Sequence, residues 1–247
     1  MIGERVLKRR SPKPELMDDF SSGGEPLGEA LRHLRRLNRL FGAGGPIVYG
    51  INQLWKKAGR PGSLTVLDVG SGSGDINRHV LKWADRRGVN ITIILADVTE
   101  EAEREAALLF GRERRVSFFR KDLFELADGA ADIVTASQFA HHFSPERLPD
   151  VVEKMRSASR LGVVIGDIHR HWIPWTAVWL ATRLLSRNRY IRHDGPLSVA
   201  KGFRGADIRE LAEQLGAADL TYRWRPLFRY AVIVPKRRED GCHEDGV

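Results

Sequence analysis

Residues 67–75 read LDVGSGSGD and follow the apolar run Leu64-Thr65-Val66. Glycines stand at 70, 72 and 74, where a buried strand must turn into a helix. Glycine reaches backbone conformations closed to other residues and lets a ligand approach the main chain. A strand, a glycine turn and a helix together present N–H groups to a polar or anionic ligand. In an open parallel sheet that ligand lies outside the carboxyl ends of the strands. The dinucleotide fingerprint G-x-G-x-x-G does not fit, because its third glycine would fall on Asp75.

The flanking pattern supplies the sheet. Short apolar runs at 64–69, 91–96, 116–120, 131–137 and 161–166 read as strands. Helical patterns at 75–87, 100–110 and within 145–157 separate them. Such alternation predicts βαβ units and a parallel sheet covered on both faces. A helix over 206–215 and two closing strands, the last at 228–234, predict an antiparallel hairpin on the sheet's edge. Ahead of the sheet, Leu27, Leu31, Leu34, Leu37 and Leu40 recur at helical spacing with arginines opposite, which predicts an amphipathic helix. The stretch GAGGP at 42–46 ends it, and a second helix follows over 47–57.

Bulk properties narrow the field. A chain of 247 residues fits one domain, or one domain with an appendage. The net charge of +8 suits nucleic acid, an anionic membrane surface or an acidic ligand, without choosing among them. Cys242 is the only cysteine, so no disulfide forms within the chain and a cytoplasmic location is expected. The basic start, MIGERVLKRR, has no apolar stretch behind it to make a secretory signal. No uncharged run is long enough to span a bilayer.

The glycine loop resembles the first motif of the class I S-adenosylmethionine-dependent methyltransferases, and further signals fall in the order of that family. The resemblance implies a Rossmann-like α/β sheet, mostly parallel with an antiparallel last strand, helices on both faces and an N-terminal helical extension. It implies that S-adenosylmethionine is held by Asp68, Gly70, Ser71, Gly72 and Gly74 of the loop. Asp97 and Val98 end the second strand, where the family's acidic residue takes the ribose hydroxyls. Asp122 and Leu123 follow the third, at the adenine, and Ser137 ends the fourth. The expected division is a helical cap over 1–60, a cofactor domain over 61–236 with a lid at about 170–200, and a disordered tail over 237–247. Any single acid has a plainer use as a helix cap, Asp75 in particular.

Methyl transfer to a hydroxyl benefits from a base. His141 and His142 follow the fourth strand, and His169 and His171 follow the fifth. The candidates are His141, His142 and then His169, with one histidine of each pair free to pack or cap locally. No metal is expected. Nucleic acid is the rival acceptor, but the chain has SQFA where amino-group DNA methyltransferases carry their N-P-P-Y-like motif, and Cys242 lies far from every strand end. No stable nucleic-acid partner is expected, and the chain is taken as a monomer or homodimer. The segment HWIPWTAVWLATRLL has three readings: a lid over a hydrophobic acceptor, a membrane-surface contact, or a core-packing helix. Together with the N-terminal pattern it resembles small-molecule methyltransferases associated with type III polyketide synthases and the ubiquinone and menaquinone enzymes. That resemblance implies O-methylation of a phenolic or quinone-derived hydroxyl. Carbon methylation of an activated ring, and a cofactor-binding role without turnover, stay open.

Overall fold

The computed structural model describes residues 7–18 and 24–237. Two helices come first, α1 (Glu25–Leu40) and α2 (Gly44–Lys57). The alternating part follows as β1 (Ser63–Val69), α3 (Asn77–Arg87), β2 (Asn90–Asp97), α4 (Glu100–Phe110), β3 (Val116–Arg120), β4 (Ala131–Ser137), α5 (Leu148–Ala158) and β5 (Ser159–Ile168). It closes with α6 (Trp172–Leu185), α7 (Arg189–Lys201), α8 (Gly205–Gln214), β6 (Thr221–Arg225) and β7 (Arg229–Pro235). The expected tail and Cys242 lie outside the described residues.

Seven strands form one sheet in the order β3-β2-β1-β4-β5-β7-β6. The first five are parallel, and β7 runs antiparallel to both β5 and β6. The closing hairpin thus forms as expected, but its second strand inserts beside β5 and leaves β6 at the edge. The reason is burial. All seven residues of β7 are buried, whereas none of β6 is, so only β7 suits an interior position.

Two apolar layers flank the sheet, sorted by the period-2 alternation of the strands. Leu67, Val134, Val163 and Val232 face α5 and α8, packing on Val151, Met155 and Ile208. Their neighbours Val66, Ile133, Val164 and Ile233 face α2 and α3, packing on Ile47, Ile51, Val80 and Trp83. Helix α2 begins at Gly44, three residues before its sequence pattern suggests, with Pro46 in its first turn. No intrahelical donor is needed there, so the missing proline N–H does no harm.

The order 3-2-1-4-5 reverses at β1/β4, and the carboxyl ends of these strands open a crevice between them. Helix α1 lies across that crevice. Midway along it, Arg32 pairs with buried Glu105 of α4 at 2.7 Å. In its first turns, the Pro26 carbonyl and Glu29 accept from Asn188, ahead of α7, at 3.1 and 2.9 Å. Its apolar stripe joins Tyr190 and Ile191 in a small third core.

Residues 7–18, ahead of α1, are firmly held. Ser11 donates to Ala200 O at 3.1 Å, and Arg10 donates to the carbonyls of Lys201, His141 and Phe143. The amides of Leu16 and Met17 both donate to the Asp194 carboxylate at 2.9 Å. Residues 7–18 therefore form a strap over the ends of β4 and β5.

Candidate functional site

A cavity of about 610 Å³ lies at the switch point, within the usual size range of small-molecule sites. Its floor is the loop after β1. Gly70, Gly72 and Gly74 have φ of +58°, +53° and +71°, alternating with two serines. The turn they form, a concave nest of main chain, is braced from within: the Ser71 amide donates to Ala96 O at 3.1 Å and the Gly74 amide to Ser71 O at 2.8 Å. Space forbids side chains as well: a Cβ on Gly70 would stand 2.1 Å from Phe139 Cδ2, and one on Gly74 2.5 Å from Leu95 Cδ1. The alternate glycines thus bring the bare main chain to the cavity.

Asp68 sits beneath the loop, 3 % exposed, and accepts from Asn77 Nδ2 at 2.6 Å and Thr135 Oγ1 at 2.9 Å. Burial pushes its carboxyl up to about 6, against the pull of those two donors. Asp75 does not cap α3, whose start has no side-chain cap. Its carboxylate instead accepts from Asn38 Nδ2 of α1 at 3.2 Å, and burial raises its pKa. Asn38 Oδ1 in turn accepts from Gln138 Nε2 at 2.6 Å, and Gln138 Oε1 from buried Arg229 at 2.8 Å. This chain of polar groups ties the cap to β4 and β7.

Asp97 ends β2 in the cavity wall. Its Oδ2 accepts from the Gly72 amide at 2.9 Å, and its Oδ1 from the amide and hydroxyl of Thr99 at 3.1 and 2.9 Å. A carboxylate accepts about four hydrogen bonds. One place is open, so a vicinal diol binds through both hydroxyls only when one of these contacts yields, and the Gly72 amide is the one shared with the loop. Val98 is exposed beside it and Leu123 is buried in the adjacent wall. Asp122 lines the cavity too, but its Oδ1 accepts from the Phe124 amide at 2.8 Å and caps the short turn Leu123–Glu125. Ser71 and Ser137 also face the cavity, and the hydroxyl of each is buried with no protein partner. Unsatisfied hydroxyls in a polar recess are places for ligand groups.

The wall nearest β4 and α1 has another character. Met17, Leu27, Leu31, Leu34, Phe139 and Phe143 line it, with His142 and Asp18 as polar groups among them. His142 Nδ1 lies 2.6 Å from Asp18 Oδ1, and its Nε2 lies 3.9 Å from Glu15 Oε2. His142, Lys201 and the Glu15 amide hold the Asp18 carboxyl down to about 2, despite its burial.

The four histidines divide sharply. His141 does not line the cavity. It is 2 % exposed, with Nδ1 2.8 Å from Asp167 Oδ1 and Nε2 3.5 Å from Glu15 Oε1. His169 also falls outside the cavity, a correction to its place among the bases. Its ring lies 5.9 Å from Phe228 and 5.1 Å from Tyr230, and desolvation with nearby cations lowers its pKa to about 4. His171 caps α6 by accepting from the Ile173 amide. Only His142 faces the space where an acceptor fits.

The expected lid needs correction as well. No residue of 170–200 lines the cavity, whose cover is α1 with Met17 and Asp18. Helices α6 and α7 pack on each other beside α1 rather than over it. Sequence reasoning also missed Glu15, Asp18 and Asp167. The strap residues carry no periodicity, and only the acidic pattern ELMDD signalled them. Among the described residues, Glu15, His141 and His142 have the mutual spacing of metal ligands, with ligand atoms within 4.8 Å of one another. Lys201 Nζ lies 3.8 Å from Glu15 and 3.4 Å from Asp18, so a fixed cation already serves these carboxylates.

The buried network makes stability depend on pH. Burial disfavours the charge on His141, yet Asp167 and Glu15 outweigh it and hold the imidazolium up to about 9. An unfolded histidine titrates near 6.5. The stabilisation is therefore complete below about 6.5 and is lost as pH rises through about 9. Thermal melts should show Tm falling by roughly 5–10 °C between pH 6.5 and 9.5, for a loss on the order of 3 kcal/mol. Asp167→Asn should flatten that dependence; a wild-type Tm constant across the window would contradict the pairing.

Residues 66–162 match the methyltransferase domain family. Among curated proteins, the ubiquinone/menaquinone biosynthesis C-methyltransferase UbiE of Rickettsia bellii is 29% identical over 120 residues, 46% of this chain and 47% of that protein. The Rickettsia prowazekii protein of the same name is 31% identical over 121 residues, 45% and 47% of the two chains. The alignment thus spans about half the length of these relatives. Human N-acetylserotonin methyltransferase, solved with S-adenosylmethionine, superposes with a TM-score of 0.61 at 16% identity over 89% of this chain and 58% of that one. An O-methyltransferase family protein of Burkholderia thailandensis gives 0.60 at 18% identity over 96% and 68%. Magnesium protoporphyrin IX methyltransferase of Synechocystis gives 0.55 at 15% identity over 90% and 98%.

Proposed function

We propose that this chain, a class I methyltransferase by its residues 66–162 and by its sheet, transfers a methyl group from S-adenosylmethionine to a hydrophobic small molecule with a phenolic or quinone-derived hydroxyl. One observation carries the reading. A single cavity joins the glycine nest, Asp97 and two unsatisfied hydroxyls to an apolar recess holding one histidine–aspartate pair.

The polar half suits the cofactor. The nest and the hydroxyls of Ser71 and Ser137 match the amino-acid end, Asp97 the ribose, and Asp122 with Leu123 the adenine. When bound, S-adenosylmethionine supplies an electrophilic methyl on a sulfonium. The protein's part is placement, because in-line displacement gains most from near-attack geometry. The apolar wall of α1, Phe139 and Phe143 excludes water from the acceptor. His142 Nε2 takes the hydroxyl proton, while Asp18 at Nδ1 fixes the ring and steadies the imidazolium. The proton then leaves to solvent, and the hydroxyl oxygen carries the methyl.

A second reading keeps every residue in its role and moves the methyl to ring carbon. It draws on the curated relatives, which are named C-methyltransferases. Deprotonating a phenol activates its ring as well as its oxygen, so His142 serves either outcome. Incubating the chain with S-adenosylmethionine and a panel of alkylated phenols and quinols should give products heavier by one methylene, located on oxygen or carbon by NMR. Absence of product across the panel, together with salt-sensitive methylation of RNA, would overturn the small-molecule reading.

A further inference from the structure

Helix α6 is apolar on every side, yet it lies at the surface. No charged residue occurs between Trp172 and Thr182. Its inner face gives only modest groups to α7: a Cβ built on Gly195 would sit 2.7 Å from Thr182 Cγ2 and 3.1 Å from Val178 Cγ1. Its large residues point outward. Ile173, Ala177, Leu180 and Leu184 recur along one exposed stripe, with Trp172 and Trp179 beside it. Leu184 is 74 % exposed and Leu180 50 %. Helices apolar all round belong in a core or at a membrane, and a contiguous exposed patch marks an interaction site.

Aromatic contacts extend the patch. His171 stacks on Phe228 at 5.2 Å, and Phe228 meets Trp224 edge-on at 6.0 Å. The exposed tip of the β6–β7 hairpin, Trp224 and Leu227, thereby continues the surface begun by α6.

Charge selects the occupant. Arg183, Arg187, Arg189 and Arg192 cluster at the end of α6 and the start of α7, all exposed. Among the described residues, none of the four has a carboxylate within ion-pair distance. Elsewhere Arg32 pairs with Glu25, Arg115 with Asp85 and Glu113, and Arg160 with Asp132, while exposed Arg36, Arg39, Arg86 and Arg87 also lack an ion pair among the described residues but stand away from any comparable apolar face. Arg183 instead lies over the Trp179 ring at 4.1 Å. A second copy of this basic chain would set arginine against arginine.

We infer that this face docks on an anionic lipid bilayer. The outward side chains of α6 enter the headgroup boundary, and the four arginines meet lipid phosphates from their apolar stems. Tryptophan suits that depth because it is apolar with one polar edge. The 14 residues of α6 extend about 21 Å, short of the roughly 30 Å hydrocarbon core, so the helix lies along the membrane. No described helix is long and apolar enough to cross one. The inference stands apart from methyl transfer and needs no cofactor.

Flotation of the full chain with phosphatidylcholine vesicles, with and without one-quarter phosphatidylglycerol, tests it. Binding is expected on the anionic vesicles, with a blue shift of tryptophan emission. Leu180→Glu with Leu184→Glu should weaken partition by more than about tenfold at unchanged Tm. Removing Arg187 or Arg189 should weaken it about fivefold each. Three results would overturn docking: no partition at millimolar anionic lipid, partition indifferent to the double leucine change, or a dimer or a nucleic-acid complex that the same change abolishes while vesicles stay unbound.

Discussion

His142→Ala is expected to lower turnover by about two to four orders of magnitude, the usual range for a positioned base. Cofactor affinity should stay within about threefold, because His142 stands at the β4 end of the cavity while the nest and Asp97 lie across β1. Three companions give the result its meaning. Asp18→Asn removes the charge beside Nδ1 while leaving an acceptor there, and should reduce turnover in the same direction, again without changing cofactor affinity. His141→Ala should act on stability instead. It leaves Asp167 and Glu15 buried without their shared cation, and breaking a buried pair in this way costs about 3–5 kcal/mol. His169→Ala should do little to either. Single-turnover measurements with an active phenol separate these effects. Loss of turnover on His169→Ala with His142→Ala inert would move the base to the end of β5.

That division among four histidines shows how far the sequence reaches. Both pairs sit at strand ends facing the crevice, so position along the chain placed them equally. What separates them is which ring a carboxylate from elsewhere engages. Asp167 comes from the next strand, and Glu15 and Asp18 from a strap more than a hundred residues away, so no local pattern links them to His141 and His142. The glycine loop behaves differently. Its chemistry is backbone conformation and close approach, both written in residue type at fixed spacing, and all three glycines take the positive φ their spacing implies. The sheet was legible for a similar reason, since alternation between two apolar layers is a local pattern with a period of two.

The tryptophan segment misled because burial and exposure of an apolar helix leave the same sequence pattern. Its composition fits a lid, a core helix and a membrane face alike; only the position of α1, fixed by Arg32–Glu105 and by Asn188, shows that another helix already covers the cavity. The leucine spacing of α1 had announced a buried face without saying what it buries. It buries the cavity.

Asp97→Ala is expected to weaken S-adenosylmethionine binding by about 30- to 1,000-fold, equivalent to two charge-assisted hydrogen bonds of roughly 2–4 kcal/mol together. The structure gives this residue two tasks that the substitution removes at once. It accepts from the Gly72 amide and so fixes the nest, and it presents the remaining acceptor position toward the cavity. Ligand fragments separate the two. Adenosine carries the diol without the amino-acid end, so a ribose contact requires that its affinity fall together with that of the whole cofactor. If the carboxylate acts through the loop alone, adenosine should bind the variant as well as the wild type while S-adenosylmethionine is weakened. Asp97→Asn refines the distinction, because its amide oxygen can still receive the Gly72 N–H but offers no charge to a hydroxyl. Calorimetry finding wild-type affinity for both ligands in Asp97→Ala would remove this residue from the ribose, and with it the strongest link between the end of β2 and the cofactor.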